Sequence, residues 1–485
     1  MLPEELNRLV DRIVHHRCEM QNVELKKAEK GTPERLYDTL SGFSNQSGGG
    51  VIVFGIDEKN DFAVVGVYDA QDLQVKVTNY AQQMEPAVRP VFTVTDVAGK
   101  QVVSAEIPEC DINQKPCYYK GAGKLRGSYV RVGEADLPMT EYEVYSYEAY
   151  KQKIRDELRI VDRATIHDFG QNEQDEYFVR IRKTKSQLAK MENLRILQLQ
   201  GMVSGTVPTV AGVMILCEYP QAFFPQLGIT AMVVDGTTFG EVSENGARFI
   251  DNQRIDGNIP QMLDEAMRFV RRNIRNATVI DADGKRADVP EYPLVAVREA
   301  ILNALIHRDY SRYSEDSPIR IVLYKDRMEV ENPGGLYGRL TINDLGKAPG
   351  DTRNPFLAGS LEILIDTENR FSGIPTMCAE MERAGLRPPV FESRRGSFRV
   401  TLYNERVPKR PADGTEAELR ILEFCKEPRS KREIVAMLGM QTAYYVSKHY
   451  LTPMVARGQL ALTMPEKPTS RNQKYRTVSD LPNPL

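Results

Sequence analysis

Hydrophobic residues recur in this chain with two different spacings, which predict a mixture of strands and helices. Short apolar runs bounded by glycine, proline or acidic turns are typical of buried strands. The clearest run is 51–56, which lies between three glycines and the polar turn 57–61. Apolar positions three and four residues apart predict amphipathic helices over 260–274 and 293–307. The other predicted strands are 102–108, 128–132, 209–216 and 319–323.

Changes in composition and in predicted secondary structure divide the chain into four parts. Residues 1–148 alternate short strands and helices, and the charged, helical segment 149–205 is interpreted as a connector. A mixed α/β region covers 206–406 and is followed by a polar linker with proline and glycine, residues 407–415. A small basic domain over 416–480 comes last. The predicted fold class is therefore α+β with several domains.

The overall composition is that of a globular protein with about three domains. The 485 residues include 64 Lys and Arg against 67 Asp and Glu, a formal net charge of −3. These values exclude a disordered or collagen-like chain and a uniformly basic nucleic-acid coat. The six cysteines form no CxxC pair, which argues against a zinc ribbon and favours reduced thiols. No apolar run approaches the ~18 residues of a membrane span, so we expect a cytoplasmic protein without membrane contact.

One predicted helix of the third part carries three chemically useful side chains on a single face. In the stretch 292–310, Glu299, Asn303 and His307 are spaced by four residues, so they project from the same side of the helix. A carboxylate, an amide and an imidazole in one row can hold a metal ion and orient a water beside a phosphate. The spacing alone also fits an ordinary solvated polar face.

Glycine-containing loops follow this helix in the sequence. The loop 329–336 follows a predicted strand, and its glycines allow a backbone to approach a ligand closely. The segment 369–375 enters a further helix, whose N-terminus suits an anion. The candidate ligand contacts downstream of the helix are Asn332, Gly334, Gly335, Arg353, Ser372 and Gly373.

In this order, the helix and the loops resemble the GHKL ATPase superfamily of histidine kinases, gyrase, Hsp90 and MutL. The sequence REAILNALIHRDY is most similar to the divergent HATPase branch of bacterial transcriptional regulators. The resemblance implies an ATPase-like α/β sandwich that binds ATP or another nucleotide with Mg²⁺, with Glu299 as a general base and Asn303 as a metal ligand. The sequence departs from the superfamily at two motifs. Residues 332–335 stand in place of the adenine-reading D-x-G-x-G motif, and residues 371–373 keep only part of the G-x-G phosphate loop. The alternative to nucleotide binding and hydrolysis is that the domain keeps an ATPase-like fold only as a scaffold for dimerisation or ligand sensing.

The first part contains a second series of motifs. These are VELK at 23–26, SGFSNQSGGG at 41–50, GID at 55–57 and SYVRVG at 128–133. Their order and wording resemble the Schlafen AlbA-like domain. The resemblance implies an α/β domain that contacts RNA or DNA, and some Schlafen relatives cut RNA through clustered carboxylates.

Basic and tyrosine side chains of this part are the candidate nucleic-acid contacts, with Lys26 and Lys27 foremost. Such cations could collect on one surface and meet phosphates, while interleaved tyrosines could stack on bases. The alternative is sheet packing with a solvated basic rim. Glu19, Glu24 and Asp57 could form a nuclease-type metal cluster, or Glu24 could instead pair with Lys26. The full candidate sets are Lys26, Lys27, Lys30, Lys120, Lys124, Arg126 and Arg131, and Tyr118, Tyr119 and Tyr129.

The last part has the element order of a winged helix-turn-helix domain. Residues 416–424 predict a first helix, Ser430 and Glu433 form a capping box for a second, and Thr442 caps a third that would enter a major groove. Between 429 and 476 there are nine Lys or Arg and two acids, a local charge of +7. The layout is similar to the C-terminal domain of the same regulators, and a winged helix used for protein contacts is the alternative. The candidate DNA contacts are Tyr444 and Lys448 on the third helix and Lys467, Arg471, Lys474 and Arg476 on the wing hairpin.

Together these features favour a cytoplasmic, homodimeric, DNA-binding transcriptional regulator whose central domain binds a nucleotide or another small ligand. Double-stranded DNA is the expected partner of the winged helix. The alternative function is an ATP-dependent enzyme acting on nucleic acid, either an NTPase or a nuclease. A third reading is an assembly scaffold that uses no ligand. The chain contains no GxxxxGK[ST] motif, which argues against a P-loop helicase motor.

Overall fold

The hydrophobic runs of the sequence become the central strands of two sheets, one in the N-terminal part and one in the middle of the chain. Contacts divide the chain into two units, Met1–Glu405 and Arg406–Leu485, which are described separately below. Among the described helices, none has the length and apolar character needed to cross a bilayer. The computed structural model describes residues 1–18, 20–241, 246, 248–280, 286–347, 350–365, 373–394, 396–406, 416–438, 446–465, 470 and 473–478.

The N-terminal part contains short helices and strands in the predicted alternation. Its helices are α1 (Pro3–His16), α2 (Tyr37–Asn45), α3 (Ala70–Gln82), α4 (Gly123–Gly127) and α5 (Glu141–Gln152). Its strands are β1 (Val23–Lys26), β2 (Gly50–Phe54), β3 (Ile56–Asp57), β4 (Ala63–Val64), β5 (Met84–Glu85), β6 (Val91–Val97), β7 (Lys100–Ile107), β8 (Tyr118–Tyr119), β9 (Tyr129–Val132) and β10 (Ala135–Pro138). Strands β2, β7 and β9 confirm three of the predicted strands.

Helices cover both faces of the main N-terminal sheet, whose strand order is β1-β2-β7-β6. Strand β2 lies parallel to β1 and antiparallel to β7. Because successive side chains of a strand point to opposite faces, Ile52 and Phe54 pack into the core beneath α2 and α3, while Val53 packs against α1. This two-sided burial explains why 51–56 is an almost continuous apolar run.

The middle of the chain contains a larger set of elements. Its helices are α6 (Gln171–Thr184), α7 (Asn193–Leu199), α8 (Val210–Leu216), α9 (Ile259–Asn273), α10 (Leu294–His307), α11 (Pro355–Leu364) and α12 (Gly373–Arg383). Its strands are β11 (Val203–Ser204), β12 (Val207–Pro208), β13 (Ile229–Val233), β14 (Asp251–Ile255), β15 (Asn276–Ile280), β16 (Arg286–Pro290), β17 (Ile319–Leu323), β18 (Arg327–Pro333), β19 (Val390–Arg394) and β20 (Ser397–Tyr403). Helices α9 and α10 and strand β17 confirm the predictions for these segments. Short 3₁₀ turns occur in the same unit at Glu58–Asn60, Asp156–Leu158, Ile166–Asp168, Ser186–Leu188, Pro220–Ala222 and Ile342–Asp344.

A six-stranded mixed sheet supports this part, with strand order β14-β13-β17-β18-β20-β19. Strand β13 is parallel to β17, and the remaining neighbours are antiparallel. Ile229 and Ala231 of β13 enter the large core beneath α9 and α10, whereas Met232 packs into a small cluster with Val322 of β17. The helices therefore lie on one face of the sheet, and α10 is held between that face and α12.

The strand predicted over 209–216 is wrong, because this segment is helix α8. The hydroxyl of Thr209 accepts the backbone N–H of Gly212 at 3.1 Å and caps the helix. Every residue of the helix is buried, so no polar face marks its period, and a short apolar run cannot distinguish a buried helix from a buried strand. Gly212 is required here, since a β-carbon would lie 2.0 Å from the carbonyl oxygen of Met202.

The segment interpreted as a connector contributes to the central core. Tyr177, Ile181 and Ile196 belong to the same hydrophobic cluster as the sheet and helix α10. A polar contact adds to this packing: the buried carboxylate of Glu157 accepts the backbone N–H groups of Phe356 and Leu357 at 3.1 and 2.8 Å. These are free N–H groups of the first turn of α11, so a distant residue performs the role of a cap.

The second unit is a small domain around one core. Its helices are α13 (Glu416–Phe424), α14 (Lys431–Leu438) and α15 (Thr452–Ala456), with a π-helical turn at Ser447–Leu451, and its strands are β21 (Arg429–Ser430), β22 (Leu460–Leu462) and β23 (Lys474–Thr477). The strands pair in the order β21-β23-β22. Ile421, Ile434 and Leu451 meet in the core. The capping box is confirmed, since Ser430 N–H donates to the Glu433 carboxylate at 2.7 Å and Glu433 N–H donates to the Ser430 hydroxyl at 3.4 Å.

We expect Glu157 to make the stability of the first unit depend on pH. Burial raises the pKa of its carboxyl from 4.5 to about 7, although the two N–H donors and Arg155 oppose the shift. The folded state thus binds the proton more tightly than the unfolded state, and the free energy of unfolding falls as pH rises from 4.5 to about 7. The Glu157→Gln variant lacks this decline, which amounts to on the order of 3 kcal/mol.

Urea unfolding between pH 4.5 and 8 measures the effect. Glu176→Gln is the matched control, because Glu176 is exposed and pairs with Arg180 one turn along α6. Parallel pH profiles for the wild type and Glu157→Gln would contradict the assignment.

Candidate functional site

Helix α10 presents Glu299 and Asn303 on one face, and the first turn of α12 lies directly against them. A β-carbon placed on Gly373 would be 2.9 Å from Nδ2 of Asn303 and 3.0 Å from Oε2 of Glu299. The carboxylate, the amide and the backbone at the N-terminus of α12 therefore converge at one point. Only glycine at 373 leaves both side chains undisturbed.

The chemistry of this group suits a phosphate with a hard cation. Glu299 is partly buried, and burial raises its pKa, opposed by Arg298, whose guanidinium nitrogen lies 3.6 Å from the carboxylate. The oxygens of Glu299 and Asn303 are the ligand type that Mg²⁺ prefers, and Mg²⁺ typically takes few protein ligands and completes its shell with water and phosphate. The free N–H groups at the start of the 11-residue helix α12 favour an anion. These residues fit a magnesium-bound nucleotide phosphate.

His307 occupies the last turn of α10, on the same row. The residue is exposed to solvent. Desolvation and the positive charge of Arg353 lower its pKa to about 4. The side chain is therefore neutral near pH 7, which makes it a hydrogen-bonding group and not a cation.

Immediately after α10, Asp309 forms a buried cluster with Arg353. The guanidinium Nη1 of Arg353 binds Oδ2 of Asp309, and the Tyr142 hydroxyl donates to the same oxygen at 2.7 Å. Burial opposes ionisation, but Arg353 and hydrogen bonds from Ser311 and Tyr142 lower the pKa of Asp309 below its usual value. Arg353 also lies over the ring of Tyr337, 5.0 Å from its centroid. The predicted ligand contact Arg353 is thus engaged within the protein.

The glycine loop after β18 packs against this cluster. Gly334 has φ of +100°, and a β-carbon there would lie 2.9 Å from Cβ of Asp309. The carbonyl oxygen of Gly335 accepts a hydrogen bond from Arg353 at 3.4 Å, and buried Asn332 donates to the carbonyl of Pro333 at 3.2 Å. In the described residues, Gly334 permits a close approach to Asp309, whereas a β-carbon on Gly335 would lie 3.1 Å from the hydroxyl oxygen of Ser393. Ser372, also predicted here, lies outside the described residues.

The sequence reasoning missed Asp309 and Tyr142. Asp309 stands within the HRDY run that follows the polar row, and a short acidic residue directly after a helix with a candidate site was the available signal. Tyr142 lies 167 positions away along the chain, at the start of α5, so nothing local indicated its contact with Asp309.

In the N-terminal part, the foremost candidates Lys26 and Lys27 are engaged in ion pairs. Lys26 pairs with Glu24 at 2.5 Å, and Lys27 pairs with Asp57 at 2.7 Å. The prediction that Arg131 lies on the nucleic-acid-binding surface is wrong, because its side chain is buried and binds Glu24 at 2.7 Å. Glu19 of the proposed nuclease cluster lies outside the described residues, and within those ranges no group of three metal-ligating side chains occurs.

In the second unit, strand β23 places two of the predicted DNA contacts in solvent. Lys474 and Arg476 are exposed, while Tyr475 between them is buried, as the alternation of a strand requires. The backbone of Lys448 lies in the π-helical turn, and its side chain is not described. Tyr444, Lys467 and Arg471 fall outside the described residues.

Three parts of the chain match known protein families. Residues 19–140 match "Schlafen, AlbA_2", and residues 316–402 match the HATPase family described as "Putative ATP-dependent DNA helicase recG C-terminal". Both resemblances stated from the sequence are therefore confirmed. The second match includes the glycine loop and Gly373 but begins after α10. Residues 419–478 match "Filamentation induced by cAMP protein Fic-like, C-terminal domain".

Several solved structures resemble this chain, among them the following two. The DIP2311 protein from Corynebacterium diphtheriae is 19% identical, with 98% of this chain and 97% of that chain covered and a TM-score of 0.41. The N-terminal domain of a putative ATP-dependent DNA helicase RecG-related protein from Nitrosomonas europaea is 27% identical, with 27% of this chain and 92% of that chain covered and a TM-score of 0.23. No curated protein sequence matches the chain significantly.

We expect Asp309→Asn to destabilise the first unit by about 3–5 kcal/mol, because it leaves the Arg353 charge buried without its partner. Asp326→Asn is the matched control: Asp326 is 45% exposed and pairs with Arg327 at 2.9 Å, so its loss costs about 1 kcal/mol or less. Urea unfolding of both variants at neutral pH measures the difference. Equal losses in the two variants would refute a structural role of the buried pair.

Proposed function

We propose that this protein is a DNA-binding transcriptional regulator whose central domain binds ATP or another nucleotide with Mg²⁺. The observation that carries the proposal is the convergence of Glu299, Asn303 and the N-terminus of α12 at Gly373. Gly373 lies within the part that matches an ATPase family, Glu299 and Asn303 lie on the helix just before that part, and residues 19–140 match the Schlafen AlbA family. In this proposal the N-terminal and C-terminal parts contact nucleic acid, and the central domain senses the nucleotide.

In the proposed site each residue has a distinct role. The amide oxygen of Asn303 is a metal ligand, and the N–H groups of α12 bind a phosphate. Bound Mg²⁺ neutralises phosphate charge. Glu299, whose pKa is raised by burial, accepts hydrogen bonds from water beside the phosphate. Neutral His307 at the end of the row offers a further hydrogen bond to the ligand.

The buried cluster offers a route by which the ligand affects the rest of the first unit. Helix α10 carries the polar row and ends two residues before Asp309. Asp309 in turn binds Tyr142 of α5, the helix that follows the AlbA-like part. A change in the position of α10 on nucleotide binding therefore acts directly on a contact with α5. This arrangement supports a sensing role.

We propose further that the second unit is a winged helix that binds duplex DNA as part of a homodimer. The order of helices and strands in the described residues and the charge of +7 over 429–476 support the idea. A recognition helix would enter the major groove, and Lys474 and Arg476 would contact phosphates. The N-terminal part, with Lys26 and Lys27, would add RNA or DNA contact.

An ATP-dependent enzyme acting on nucleic acid is the second candidate. The raised pKa of Glu299 favours it, since a carboxylate of this kind can act as a general base. Phosphate release that is lost in Glu299→Gln and kept in Glu265→Gln, a half-exposed position on α9 that pairs with Arg268, would favour this enzyme over a sensor. Release of no phosphate with any nucleotide, with or without nucleic acid, would favour the sensor.

For the regulator, we expect Mg²⁺ and ATP to change the affinity of the full-length protein for DNA from its own upstream region. In Gly373→Ala the new methyl group displaces the carboxylate and the amide, so the nucleotide effect disappears. Both groups are flexible side-chain ends that can move aside, and we therefore expect a stability loss below about 1 kcal/mol. Fluorescence anisotropy with and without nucleotide measures the effect.

Gly359→Ala is the matched control, since a β-carbon there meets nothing within 4 Å on helix α11. It should retain the nucleotide effect. A wild-type protein that binds DNA identically with and without nucleotide would refute the sensing role, and absence of salt-dependent DNA binding would refute the regulator as a whole.

The double variant Lys474→Ala and Arg476→Ala tests the DNA-binding surface of the second unit. Each phosphate contact contributes roughly −0.9 to the slope of log affinity against log salt. We therefore expect the magnitude of the slope to fall by about 2 in titrations with duplex DNA. Lys426→Ala, an exposed lysine of the same unit that pairs with Glu423, should leave the slope unchanged. An unchanged slope in the double variant would exclude these two contacts.

A further inference from the structure

The N-terminal part contains a cavity of about 230 Å³ beside helix α2. It lies on the face of the sheet that α2 and α3 cover, opposite α1. We propose that this cavity binds one unpaired nucleotide of a single-stranded nucleic acid. The inference rests on the proposed nucleic-acid function of the N-terminal part, and it adds a contact whose walls include neither Lys26 nor Lys27. Its walls include Arg35, Tyr37, Tyr119, Arg126, Gly127 and Tyr129.

A buried polar network holds the walls of the cavity in place. At the end of α2, the amide of Asn45 donates to the carbonyl oxygens of Cys117 at 2.9 Å and Tyr129 at 3.0 Å, and it accepts the N–H of Cys117 at 2.7 Å. The hydroxyl of Ser41 accepts the N–H of Tyr129 at 2.8 Å. The segments that carry Tyr119 and Tyr129 are therefore fixed to α2, which carries Tyr37.

Aromatic side chains form one side of the cavity. The rings of Tyr37 and Tyr119 are stacked with centroids 3.7 Å apart and an interplanar angle of 18°. The ring of Tyr80 meets Tyr37 edge-on at 5.3 Å and restricts its movement. Stacking on rigid aromatic side chains is the usual means by which proteins bind unpaired bases, and it tolerates different base identities.

Glycines bring the backbone close to this stack. A β-carbon on Gly121 would lie 2.5 Å from the hydroxyl oxygen of Tyr119, and one on Gly127 would lie 2.6 Å from the carbonyl oxygen of Tyr119. The run 120–127, KGAGKLRG, therefore folds tightly around β8 and turns α4 toward the cavity. This tight turn places Arg126 at the cavity wall.

Two arginines supply positive charge at the cavity. Arg126 is exposed and has no carboxylate partner within the described ranges, in contrast to Lys120 and Lys124 of the same run, which pair with Glu85 and Glu148. Arg35 is 84% exposed, and its nearest carboxylate oxygen, on Asp38, is 4.0 Å away. Guanidinium groups bind phosphates in a bidentate manner. A cation available beside an aromatic stack matches a nucleotide, which combines a base with a phosphate.

The size of the cavity points to a single nucleotide of a flexible strand. At about 230 Å³ it is smaller than the pockets that hold drug-sized ligands. A base in a duplex is stacked between its neighbours and cannot enter such a pocket without leaving the helix. The preferred partner is therefore single-stranded RNA or DNA, and the duplex contact of the second unit is a separate event.

The test compares the full-length wild type with Arg126→Glu and Arg35→Glu in anisotropy titrations with labelled single-stranded RNA, single-stranded DNA and duplex DNA. Arg12→Glu is the matched control, because Arg12 is exposed on α1 at the opposite face of the same sheet. All three positions are exposed, so the variants retain the fold. We expect Arg126→Glu to weaken single-strand binding by about tenfold or more, with Arg35→Glu in the same direction, and duplex binding to change less than twofold.

A preference for RNA or for DNA in the single-strand arms identifies the source of the nucleotide, and either preference supports the cavity. Equal losses in Arg126→Glu and Arg12→Glu would overturn the proposal, because they would reflect net charge alone. The cavity proposal would also be overturned if the wild-type protein bound neither single-stranded RNA nor single-stranded DNA, even if it still bound duplex DNA in a nucleotide-dependent way. Those two activities test the proposed function independently of the cavity.

Discussion

The buried ion pair between Asp309 and Arg353 is the contact on which the arrangement of the first unit depends. A charge in the interior is tolerated only with a partner and further hydrogen bonds. Here those bonds come from Tyr142 of α5 and from the backbone of Ser311. The glycine at 334 has no side chain, which lets the end of β18 pack directly against Asp309. One carboxylate thus fixes the end of α10, the loop after β18, the segment before α11 and the helix that follows the AlbA-like part.

That constraint determines where the proposed chemistry can occur. Because α10 is held at its C-terminal end, the row of Glu299 and Asn303 has a fixed position against the N-terminus of α12. The proposed nucleic-acid contacts are on other residues: the exposed face of β23 in the second unit and the tyrosine stack of the N-terminal part. The proposed sensing and nucleic-acid contacts are thus assigned to different surfaces, and α5, whose Tyr142 binds Asp309, is one packed route between the central site and the AlbA-like part.

Local patterns predicted much of this structure because local physics determines those features. Two-sided burial made β2 recognisable, the period of α9 and α10 marked them as helices, and the capping box of α14 is a contact within four residues. The prediction failed for α8, which is buried on all sides, and for Arg131, whose partner Glu24 lies far away in sequence. The convergence of Gly373 with Glu299, the capping of α11 by Glu157 and the role of Asp309 depend on tertiary contacts, and no spacing along the chain encodes them.

The central claim is that Glu299, Asn303 and the start of α12 form a nucleotide site. Isothermal titration of the full-length protein with ATP in the presence of Mg²⁺ tests it most directly, alongside Asn303→Ala and, as a control, Asn252→Ala on the exposed part of β14. The account predicts saturable binding that weakens by at least about tenfold in Asn303→Ala, as expected for loss of a metal ligand, and that Asn252→Ala retains. Absence of binding in the wild type, or equal affinity in wild type and Asn303→Ala, would contradict it.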